Sequence, residues 1–199
     1  MSENNRVLAI MARRPQLGKV KTRLAHDIGE KATLKVYTEL LRNTMQAAIS
    51  GNWSCFLFLA GEGELNTEGF EVVEQQGRDL GERMMHVFSH SFARGVEKVV
   101  LVGSDIDGLN THLIYEAFEV LNDKDIVLGP SLDGGYYLIG MKMETDVFGD
   151  IEWSTDAVFA NTLRRAQSLE KSVGLIKELN DIDTLQDFRN SSLRELDLN

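Results

Sequence analysis

The chain has 199 residues, 43% hydrophobic and 26% charged, with only two prolines, and we predict one globular domain over residues 1–199. Its net charge of −10 argues against nucleic-acid binding by the whole chain, because such proteins need basic surface to displace counterions. The single cysteine, Cys55, excludes an intrachain disulfide framework, and the absence of a signal-peptide pattern and of a bilayer-spanning apolar run predicts a cytoplasmic protein.

The first half of the chain alternates short apolar runs with segments of helical apolar spacing. The predicted elements are a strand at 7–12, a helix at 29–50, strands at 53–60 and 70–74, and a helix at 79–94. His86 and His90 lie four residues apart on the last of these helices, a spacing that can bind zinc. They fall opposite its apolar stripe, which favours a solvated helix face.

The second half continues the alternation. The predicted elements are a strand at 99–103, a helix at 111–121 capped by Thr111, strands at 126–129 and 136–141, a helix at 155–169, a strand at 173–178 and a last helix at 184–189. Alternating strands and helices imply crossover connections and a mostly parallel sheet. Ligands of such sheets bind at the carboxyl ends of the strands, where the loops gather.

A basic segment without any acid follows the first strand at residues 13–23 and contains Arg13, Arg14, Lys19, Lys21 and Arg23. It is not a P-loop of the form GxxxxGK[ST], because Arg13 stands where the first glycine is required and Val20 stands where Ser or Thr should bind magnesium. The cations and the backbone N–H groups near Gly18 are suited to a polyphosphate. A solvated charged face is the alternative, and the position directly after a strand favours the phosphate site.

Two aspartates, Asp105 and Asp107, directly follow the strand at 99–103. Carboxylates at the end of a buried parallel strand are well placed to hold Mg²⁺ or Mn²⁺, which prefer oxygen ligands and are often shared with phosphates. The D-x-D spacing lets both reach one ion. The alternative is a loop acid that caps the following helix.

Further acids and paired glycines occur near the predicted strand ends in the last third of the chain. Asp133, Gly134 and Gly135 form a turn whose glycines allow close approach of a ligand, although a tight hairpin turn explains them equally well. Asp181 and Asp183 form another acidic pair, in which Asp183 is also placed to act as a helix N-cap.

Taken together in order, these motifs resemble the DUF2064 family, also described as glycosyltransferase-A-like transferase 1, over about residues 6–188. The segments that carry the resemblance are Met-Ala-Arg-Arg-Pro at 11–15, Val-Lys-Thr-Arg-Leu at 20–24, Asp-Leu-Gly-Glu-Arg-Met at 79–84, Gly-Ser-Asp at 103–105, Asp-Gly-Gly-Tyr-Tyr-Leu-Ile-Gly at 133–140 and Asp-Ile-Asp-Thr at 181–184. The family is similar to the wider nucleotide-diphospho-sugar transferase (GT-A) fold, which includes phospholactate guanylyltransferase and molybdenum-cofactor guanylyltransferase. The resemblance implies a three-layer α/β/α sandwich that binds a nucleotide and a divalent ion.

The resemblance also implies roles for particular residues. Asp105 would be the principal metal ligand and Asp183 a second one. Asp107 stands where many relatives have proline; it would either add a metal ligand, as in the D-x-D of sugar transferases, or loosen the loop. The nucleotide would lie on the loop after the first strand, and the acceptor or sugar would lie beside the glycine turn. The implied nucleotide-binding residues are Ala12, Arg13, Gly18, Lys19, Lys21, Arg23 and Arg83, and the implied substrate residues are Gly134, Gly135 and Tyr136.

Three functions are consistent with these features. In the first, a sugar passes from a nucleotide-diphosphate sugar to a small acceptor. Asp105 would hold the metal, the cations Lys19, Lys21 and Arg23 would help it to stabilise the leaving diphosphate, and Asp133 would act as the base. In the second, an acceptor phosphate attacks a nucleoside triphosphate and releases pyrophosphate. In the third, the chain binds a nucleotide without turnover and acts as a partner protein.

Overall fold

A computed structural model describes residues 5–198; the predicted domain also takes in residues 1–4 and 199, which lie outside the described part. Within residues 5–198 the chain forms nine strands and six helices. The strands are β1 (Arg6–Arg13), β2 (Ser54–Ala60), β3 (Glu71–Glu74), β4 (Lys98–Gly103), β5 (Ile106–Asp107), β6 (Ile126–Pro130), β7 (Tyr136–Met141), β8 (Val173–Leu175) and β9 (Asn180–Asp181). The helices are α1 (Thr22–Ile28), α2 (Glu30–Ile49), α3 (Leu80–Phe92), α4 (Thr111–Asp123), α5 (Val158–Ser168) and α6 (Leu185–Asn190).

The main sheet has the strand order β3-β2-β1-β4-β7-β6-β8. Parallel pairs join β1 to β2 and β4, β2 to β3, and β6 to β8. Only β7 runs antiparallel to its neighbours in this sheet, β4 and β6, because a short turn connects it to β6. The predicted, mostly parallel α/β sheet is therefore confirmed. β1 and β4 are parallel neighbours in the middle of the sheet, so their carboxyl ends lie side by side.

Helices cover both faces of the sheet, as predicted for a three-layer sandwich. Alternate residues of β1 enter two different apolar clusters: Leu8 and Ile10 pack with residues of α2 and α4, while Val7 and Ala9 pack with residues of α3 and α5. All four of these side chains are fully buried. Because both faces of the strand are covered, its sequence is a continuous apolar run. A third cluster joins α1, α2 and α6.

Several predicted boundaries were wrong. The short helix α1 begins at Thr22, within the basic segment that was predicted to be a loop, so Arg23 belongs to its first turn. The N-cap of α4 is Asn110, whose side chain accepts a hydrogen bond from Leu113 N–H, and not Thr111. The predicted helix at 155–169 begins only at Val158. At the last helix, the N-cap is Thr184 rather than Asp183.

The sequence pattern favoured a solvated helix face for His86 and His90, but the two side chains pack against the sheet. Both imidazole rings meet the ring of Phe58 edge-on, at centroid distances of 5.7 and 5.5 Å. Burial lowers the pKa of each ring, so both stay neutral at physiological pH. Across residues 5–198, no three or more His, Cys, Asp or Glu side chains are grouped to hold a metal ion.

The described helices are also informative about membranes. In residues 5–198, none combines the length and the apolar character that crossing a bilayer requires.

Candidate active site

A cavity of about 740 Å³ opens at the carboxyl ends of β1 and β4, and a volume of this size suits a small-molecule ligand. Its charged lining residues come from the basic loop, from the loops after β4 and β6, from α3, from the segment before α5, and from the segment around β9. They are Arg13, Lys19, Lys21, Arg23, Arg83, Asp105, Asp133, Asp156, Asp181 and Asp183. Most of the residues predicted for the site from sequence therefore do line one cavity.

The centre of this cavity is an ion-pair cluster of one lysine and two aspartates. The Lys21 Nζ lies 2.6 Å from Asp105 Oδ2 and 2.6 Å from Asp183 Oδ1. The lysine side chain is 5% exposed, whereas the aspartates are 36% and 38% exposed. The two carboxylates thus share one buried cation and keep part of their surface open to the cavity.

The short strands β5 and β9 bring these two aspartates together. They pair antiparallel, with Ile106 opposite Asp181, and Ile182 N–H donates to the Asp105 carbonyl oxygen at 3.3 Å. Asp105 precedes β5 and Asp183 follows β9, so this pairing places both carboxylates beside the end of β4. A two-residue strand is too short for a period-2 pattern, and the sequence therefore did not predict this pair.

Lys21 has a left-handed backbone, with φ 45° and ψ 51°, at the N-terminal end of α1. This conformation is uncommon for a residue with a side chain and often occurs at functional sites. Burial alone would lower the lysine pKa, but the charges of Asp105 and Asp183 outweigh burial and raise the pKa of Lys21. The ammonium is therefore permanently charged near neutral pH.

The rest of the basic segment divides into two groups. Ala12, Arg13, Lys19 and Arg23 line the cavity, and Arg23 NH1 also lies 4.0 Å from Asp183 Oδ2. Gly18 is outside the lining and packs against the Glu30 side chain, which a Cβ at position 18 would meet at 3.0 Å. The structure therefore does not bring Gly18 to the predicted nucleotide site.

Tyr37 of α2 had no predicted role at the site, but its hydroxyl fixes the start of the basic loop. It donates to the Arg13 carbonyl oxygen at 2.6 Å and accepts from Arg13 N–H at 3.0 Å. Its oxygen is also 3.3 Å from Ser104 Oγ, which ties the ends of β1 and β4 together. The available sequence signal was a tyrosine on a buried stripe, since a buried hydroxyl needs a hydrogen-bond partner.

Replacing Tyr37 with phenylalanine is expected to lower the free energy of unfolding by about 1–3 kcal/mol, because both Arg13 backbone groups lose a buried partner. The matched control is Tyr115→Phe, since the half-exposed Tyr115 hydroxyl accepts a single hydrogen bond, from Asn52 N–H at 3.2 Å. Urea unfolding of both variants should show a change of about 0.5 kcal/mol or less for the control. Equal losses of unfolding free energy in the two variants would show that the Tyr37 hydroxyl does not stabilise the start of the basic loop.

Gln75 is a second residue that sequence patterns did not identify. Its side-chain amide nitrogen donates to the carbonyl oxygens of Ala12 and Phe58, each at 2.9 Å. It thereby fixes the end of β1 against β2 and lines the cavity. A lone glutamine after a short strand carries no pattern that could have indicated this role.

The glycine turn between β6 and β7 contributes unequally to the cavity. Asp133, Gly135 and Tyr136 line it, whereas Gly134 does not. Gly134 has φ +88°, and an added Cβ would lie 2.2 Å from the Asp156 carbonyl oxygen. Gly134 lets the turn pack against the segment before α5, and the structure does not bring it to the lining of the predicted substrate site.

Asp133 is fixed within the same turn. Its Oδ1 accepts hydrogen bonds from Gly135 N–H at 2.9 Å and from the Ser131 hydroxyl. Within residues 5–198, no donor is bonded to the other carboxylate oxygen, Oδ2, which leaves one oxygen for a ligand. Asp133 therefore stabilises the turn and also lines the cavity.

The structure places Asp107 away from the cavity. Its two carboxylate oxygens accept hydrogen bonds from the Ser192 N–H, at 3.0 Å, and from the Ser192 hydroxyl. Asp107 therefore fastens the C-terminal segment to β5. The D-x-D spacing does not bring Asp105 and Asp107 to one point. Asp105 pairs with Lys21, whereas Asp107 accepts hydrogen bonds from Ser192.

A wall of apolar and aromatic side chains from α3, β7 and the start of α5 completes the cavity. We call it the aromatic wall; its members are Leu80, Met84, Tyr136, Trp153 and Val158. Trp153 packs so closely on α3 that a Cβ at Gly81 would lie 2.8 Å from its ring. Within residues 5–198, Arg83 is the one cation that α3 and α5 contribute to the lining, and its Nε donates to the Gly77 carbonyl oxygen at 3.2 Å.

Asp181 also lines the cavity, although the sequence did not assign it a role. Burial and the neighbouring charge of Asp183 raise the pKa of the Asp181 carboxyl to about 6, against the opposing effect of Lys21. Its position on β9 follows from the same short strand pair that the sequence did not predict.

Comparisons with known proteins identify the family and the fold of the chain. The sequence model of the DUF2064 family, described as an uncharacterized protein conserved in bacteria, matches residues 39–155. No protein among those with curated functions matches the chain. The matched segment includes Asp105 and the glycine turn, but the basic loop and Asp183 lie outside it.

A solved structure from Desulfovibrio desulfuricans G20, which carries the provisional name nucleotide-diphospho-sugar transferase, is 30% identical with a TM-score of 0.88, over 98% of this chain and 96% of that one. Two structures are similar in fold alone. The 4-diphosphocytidyl-2C-methyl-D-erythritol synthase of Anaerococcus prevotii is 9% identical, with a TM-score of 0.59 over 98% and 99% of the two chains. The manganese complex of Rv0371c from Mycobacterium tuberculosis is 18% identical, with a TM-score of 0.50 over 92% and 96%.

The basic loop, the aspartate at the end of β4 and the glycine turn were the features that resembled this family. The family model covers more than half of the chain, and the 30% identical structure covers nearly all of it. The chain belongs to the DUF2064 family and has the α/β fold of the nucleotide-diphospho-sugar transferases.

Proposed function

We propose that this transferase moves a sugar from a nucleotide-diphosphate sugar to a hydroxyl group of a small acceptor, with a divalent cation held by Asp105 and Asp183. The observation that carries the proposal is the pair of carboxylates that converge on Lys21 Nζ at 2.6 Å each, beside the cationic loop. The name of the 30% identical structure supports the same substrate class.

The two carboxylates fit a divalent metal. They already hold one cation, the Lys21 ammonium, and both keep exposed surface toward the cavity. Mg²⁺ is commonly bound by one or two carboxylates together with substrate phosphates, so this donor set is sufficient. A bound ion would neutralise charge on the diphosphate as it leaves. The manganese in the Rv0371c structure is consistent with Mn²⁺ as well as Mg²⁺.

The chain's own cations have a separate role in the proposed reaction. Lys19, Lys21 and Arg23 line the cavity on the side of the basic loop, where they would bind the two phosphates. Fixed charges of this kind stabilise a developing anion without reorganisation of solvent. The Tyr37 hydroxyl and Gln75 hold the end of β1 in place, so the loop starts from a rigid point.

Asp133 is the proposed general base. The acceptor oxygen forms a bond to the anomeric carbon of the sugar while the bond from that carbon to the phosphate oxygen breaks. The hydroxyl proton passes to the carboxylate of Asp133, and the nucleoside diphosphate departs with the electron pair of the broken bond. The hydrogen bonds of Oδ1 to Gly135 N–H and Ser131 fix the carboxylate, with Oδ2 available for the proton.

The aromatic wall favours an acceptor without a phosphate group. The five side chains of this wall are apolar or aromatic, and Arg83 already donates to a backbone carbonyl. A phosphomonoester would need several donors or cations here, whereas a neutral hydroxyl compound with an apolar face would not. Tyr136 and Trp153 would then contact the acceptor.

Nucleotidyl transfer is the second candidate. The observation in its favour is the density of cations on the basic loop, which suits the larger charge of a triphosphate. Structures of similar fold include an inositol-1-phosphate CTP transferase from T. maritima, whose 16% identity supports the fold only. In this reaction the leaving group would be pyrophosphate, and a phosphate oxygen of the acceptor would attack the α-phosphorus.

Thermal unfolding with UDP-glucose, GDP-mannose and the four nucleoside triphosphates, each with and without Mn²⁺, tests the proposal. A ligand at about 100 times its Kd stabilises a protein by about 2.7 kcal/mol, which corresponds to roughly 5–10 °C at this chain length. We expect such a shift for a sugar nucleotide with Mn²⁺ only. A shift for triphosphates alone would favour nucleotidyl transfer, and no shift with any nucleotide would contradict both candidates.

The leaving group separates the two reactions directly. The protein is incubated with the stabilising nucleotide and a small-molecule extract, and the released product is identified by mass spectrometry. Sugar transfer should release the nucleoside diphosphate in amounts that depend on the extract. Release of pyrophosphate would instead establish nucleotidyl transfer.

A further inference from the structure

Lys21 occupies the place that a divalent cation would take between the two aspartates. Its Nζ is 2.6 Å from both Asp105 Oδ2 and Asp183 Oδ1. A divalent cation held by these two carboxylates would compete with the ammonium for the same negative charge. Two cations on the same carboxylates would repel strongly, so the lysine and the metal cannot use these oxygens at once.

We propose that Lys21 is an exchangeable internal cation, which neutralises Asp105 and Asp183 in the empty site and leaves them when a divalent ion binds. The proposal rests on the proposed function only in taking these two carboxylates as the metal ligands. Lys21 then has two successive positions. Its ammonium lies on the carboxylates when no metal is bound and on the phosphates of the nucleotide when the metal is bound.

The surroundings of Lys21 permit such an exchange. Within residues 5–198, Asp105 and Asp183 are the bonded partners of its Nζ, so the move breaks no other contact. A lysine carries its charge on a flexible four-carbon stem. The neighbouring Lys19 and Arg23 line the same cavity, so the released ammonium would join them around a bound diphosphate.

The exchange makes metal and nucleotide binding cooperative. Without nucleotide, the metal must displace a paired, buried ammonium that has no new anion to meet, so the metal binds weakly. With nucleotide, the phosphates accept both the metal and the displaced lysine. By linkage, the nucleotide strengthens metal binding by the same factor by which the metal strengthens nucleotide binding.

Isothermal titration of the protein with Mn²⁺ alone tests the competition. Lys21→Met removes the ammonium while keeping much of the side-chain length, and it should bind Mn²⁺ about tenfold more tightly than the wild type, within the usual range of coupling between sites. The matched control is Lys19→Met, which removes a cation from the same loop that makes no ion pair among the described residues. The control should keep wild-type Mn²⁺ affinity.

The outcomes separate this inference from the proposed function. Unchanged or weaker Mn²⁺ binding by Lys21→Met would overturn the exchange while leaving the metal site intact. An equal gain in both lysine variants would also overturn it, since general loss of positive charge would then be the cause. Absence of Mn²⁺ binding in every protein would reject the metal site itself, and the exchange with it.

A second measurement needs no substitution and guards against misfolding of the variant. Lysines of the wild-type protein are acetylated briefly with acetic anhydride and quantified by mass spectrometry, with and without saturating Mn²⁺. The buried Lys21 amine should become several-fold more reactive when Mn²⁺ is present, while the reactivity of Lys19 stays constant. Equal protection of Lys21 in both conditions would contradict the proposal.

Discussion

Asp105→Asn is expected to abolish the metal-dependent stabilisation by nucleotide and to lower the rate of transfer by about 10²–10³-fold, the usual effect of losing one electrostatic contact to the transition state. The amide keeps the size of the side chain but loses the charge that pairs with Lys21 Nζ at 2.6 Å and that would bind the metal. Because Asp105 is 36% exposed, the fold should survive. Thermal unfolding with the preferred sugar nucleotide and Mn²⁺ measures the first effect.

Asp107→Asn is the matched control, because it makes the same chemical change two residues further along the chain. The Asp107 carboxylate accepts hydrogen bonds from the N–H of Ser192, at 3.0 Å, and from the Ser192 hydroxyl. Loss of the carboxylate charge should therefore lower the free energy of unfolding by about 1 kcal/mol. The stabilisation by nucleotide and metal should be unchanged. If Asp107→Asn removed this stabilisation and Asp105→Asn kept it, the metal ligand would be Asp107 and the proposed site would be wrong.

Gly134→Ala is expected to lower the free energy of unfolding by about 2–5 kcal/mol. About 1–2 kcal/mol comes from the left-handed conformation, since Gly134 has φ +88°, and about 1–3 kcal/mol from overpacking. The new Cβ would lie 2.2 Å from the Asp156 carbonyl oxygen, and that atom belongs to the backbone and cannot rotate away. Gly134 also accepts a hydrogen bond from Phe159 N–H at 2.9 Å, so the start of α5 would be disturbed.

Gly29→Ala provides the control for backbone strain alone. Gly29 has φ +84° and ψ 156°, a region that is nearly restricted to glycine, but a Cβ there would meet nothing within 4 Å, so a loss of about 1–3 kcal/mol from backbone strain is expected. Urea unfolding of both variants isolates the clash as the difference between them. If Gly134→Ala failed to fold while Gly29→Ala folded, this would also show that the clash adds to the backbone strain. Equal losses, together with loss of ligand binding by Gly134→Ala, would restore the predicted place of Gly134 beside the substrate.

The sheet could be predicted well because its strands are buried on both faces. Val7, Leu8, Ala9 and Ile10 are all fully buried, and such an apolar run followed by a long amphipathic helix indicates a parallel α/β arrangement. Helix ends were less predictable, because neighbouring residues such as Asn110 and Thr111 are both good caps and only the observed hydrogen bond distinguishes them.

The site could be predicted in part. The positions of Lys21 and Asp105 after two strands indicated a common edge of the sheet, but the approach of Asp183 came from the family resemblance. No local pattern encodes it, because the two-residue strands β5 and β9 depend on pairing between distant parts of the chain. The same reason explains Tyr37, Gln75 and Trp153, whose roles depend on tertiary contacts.

His86 and His90 show the limit of helical periodicity. A residue opposite the main apolar stripe is expected to face solvent, but α3 lies close enough to the sheet for both rings to reach Phe58. The width of the buried stripe depends on how deeply a helix sits on its sheet. That depth is set by side chains such as Phe56 and Phe58 on β2, which are distant in sequence.

A crystal structure with Mn²⁺ and the sugar nucleotide that stabilises the protein most would test the proposed site most directly. We expect an anomalous manganese peak between Asp105 and Asp183, with the diphosphate bound to it and to Lys19 and Arg23, and with Lys21 Nζ moved from the carboxylates to the phosphates. A nucleotide bound outside this cavity, or manganese bound away from both aspartates, would contradict the site.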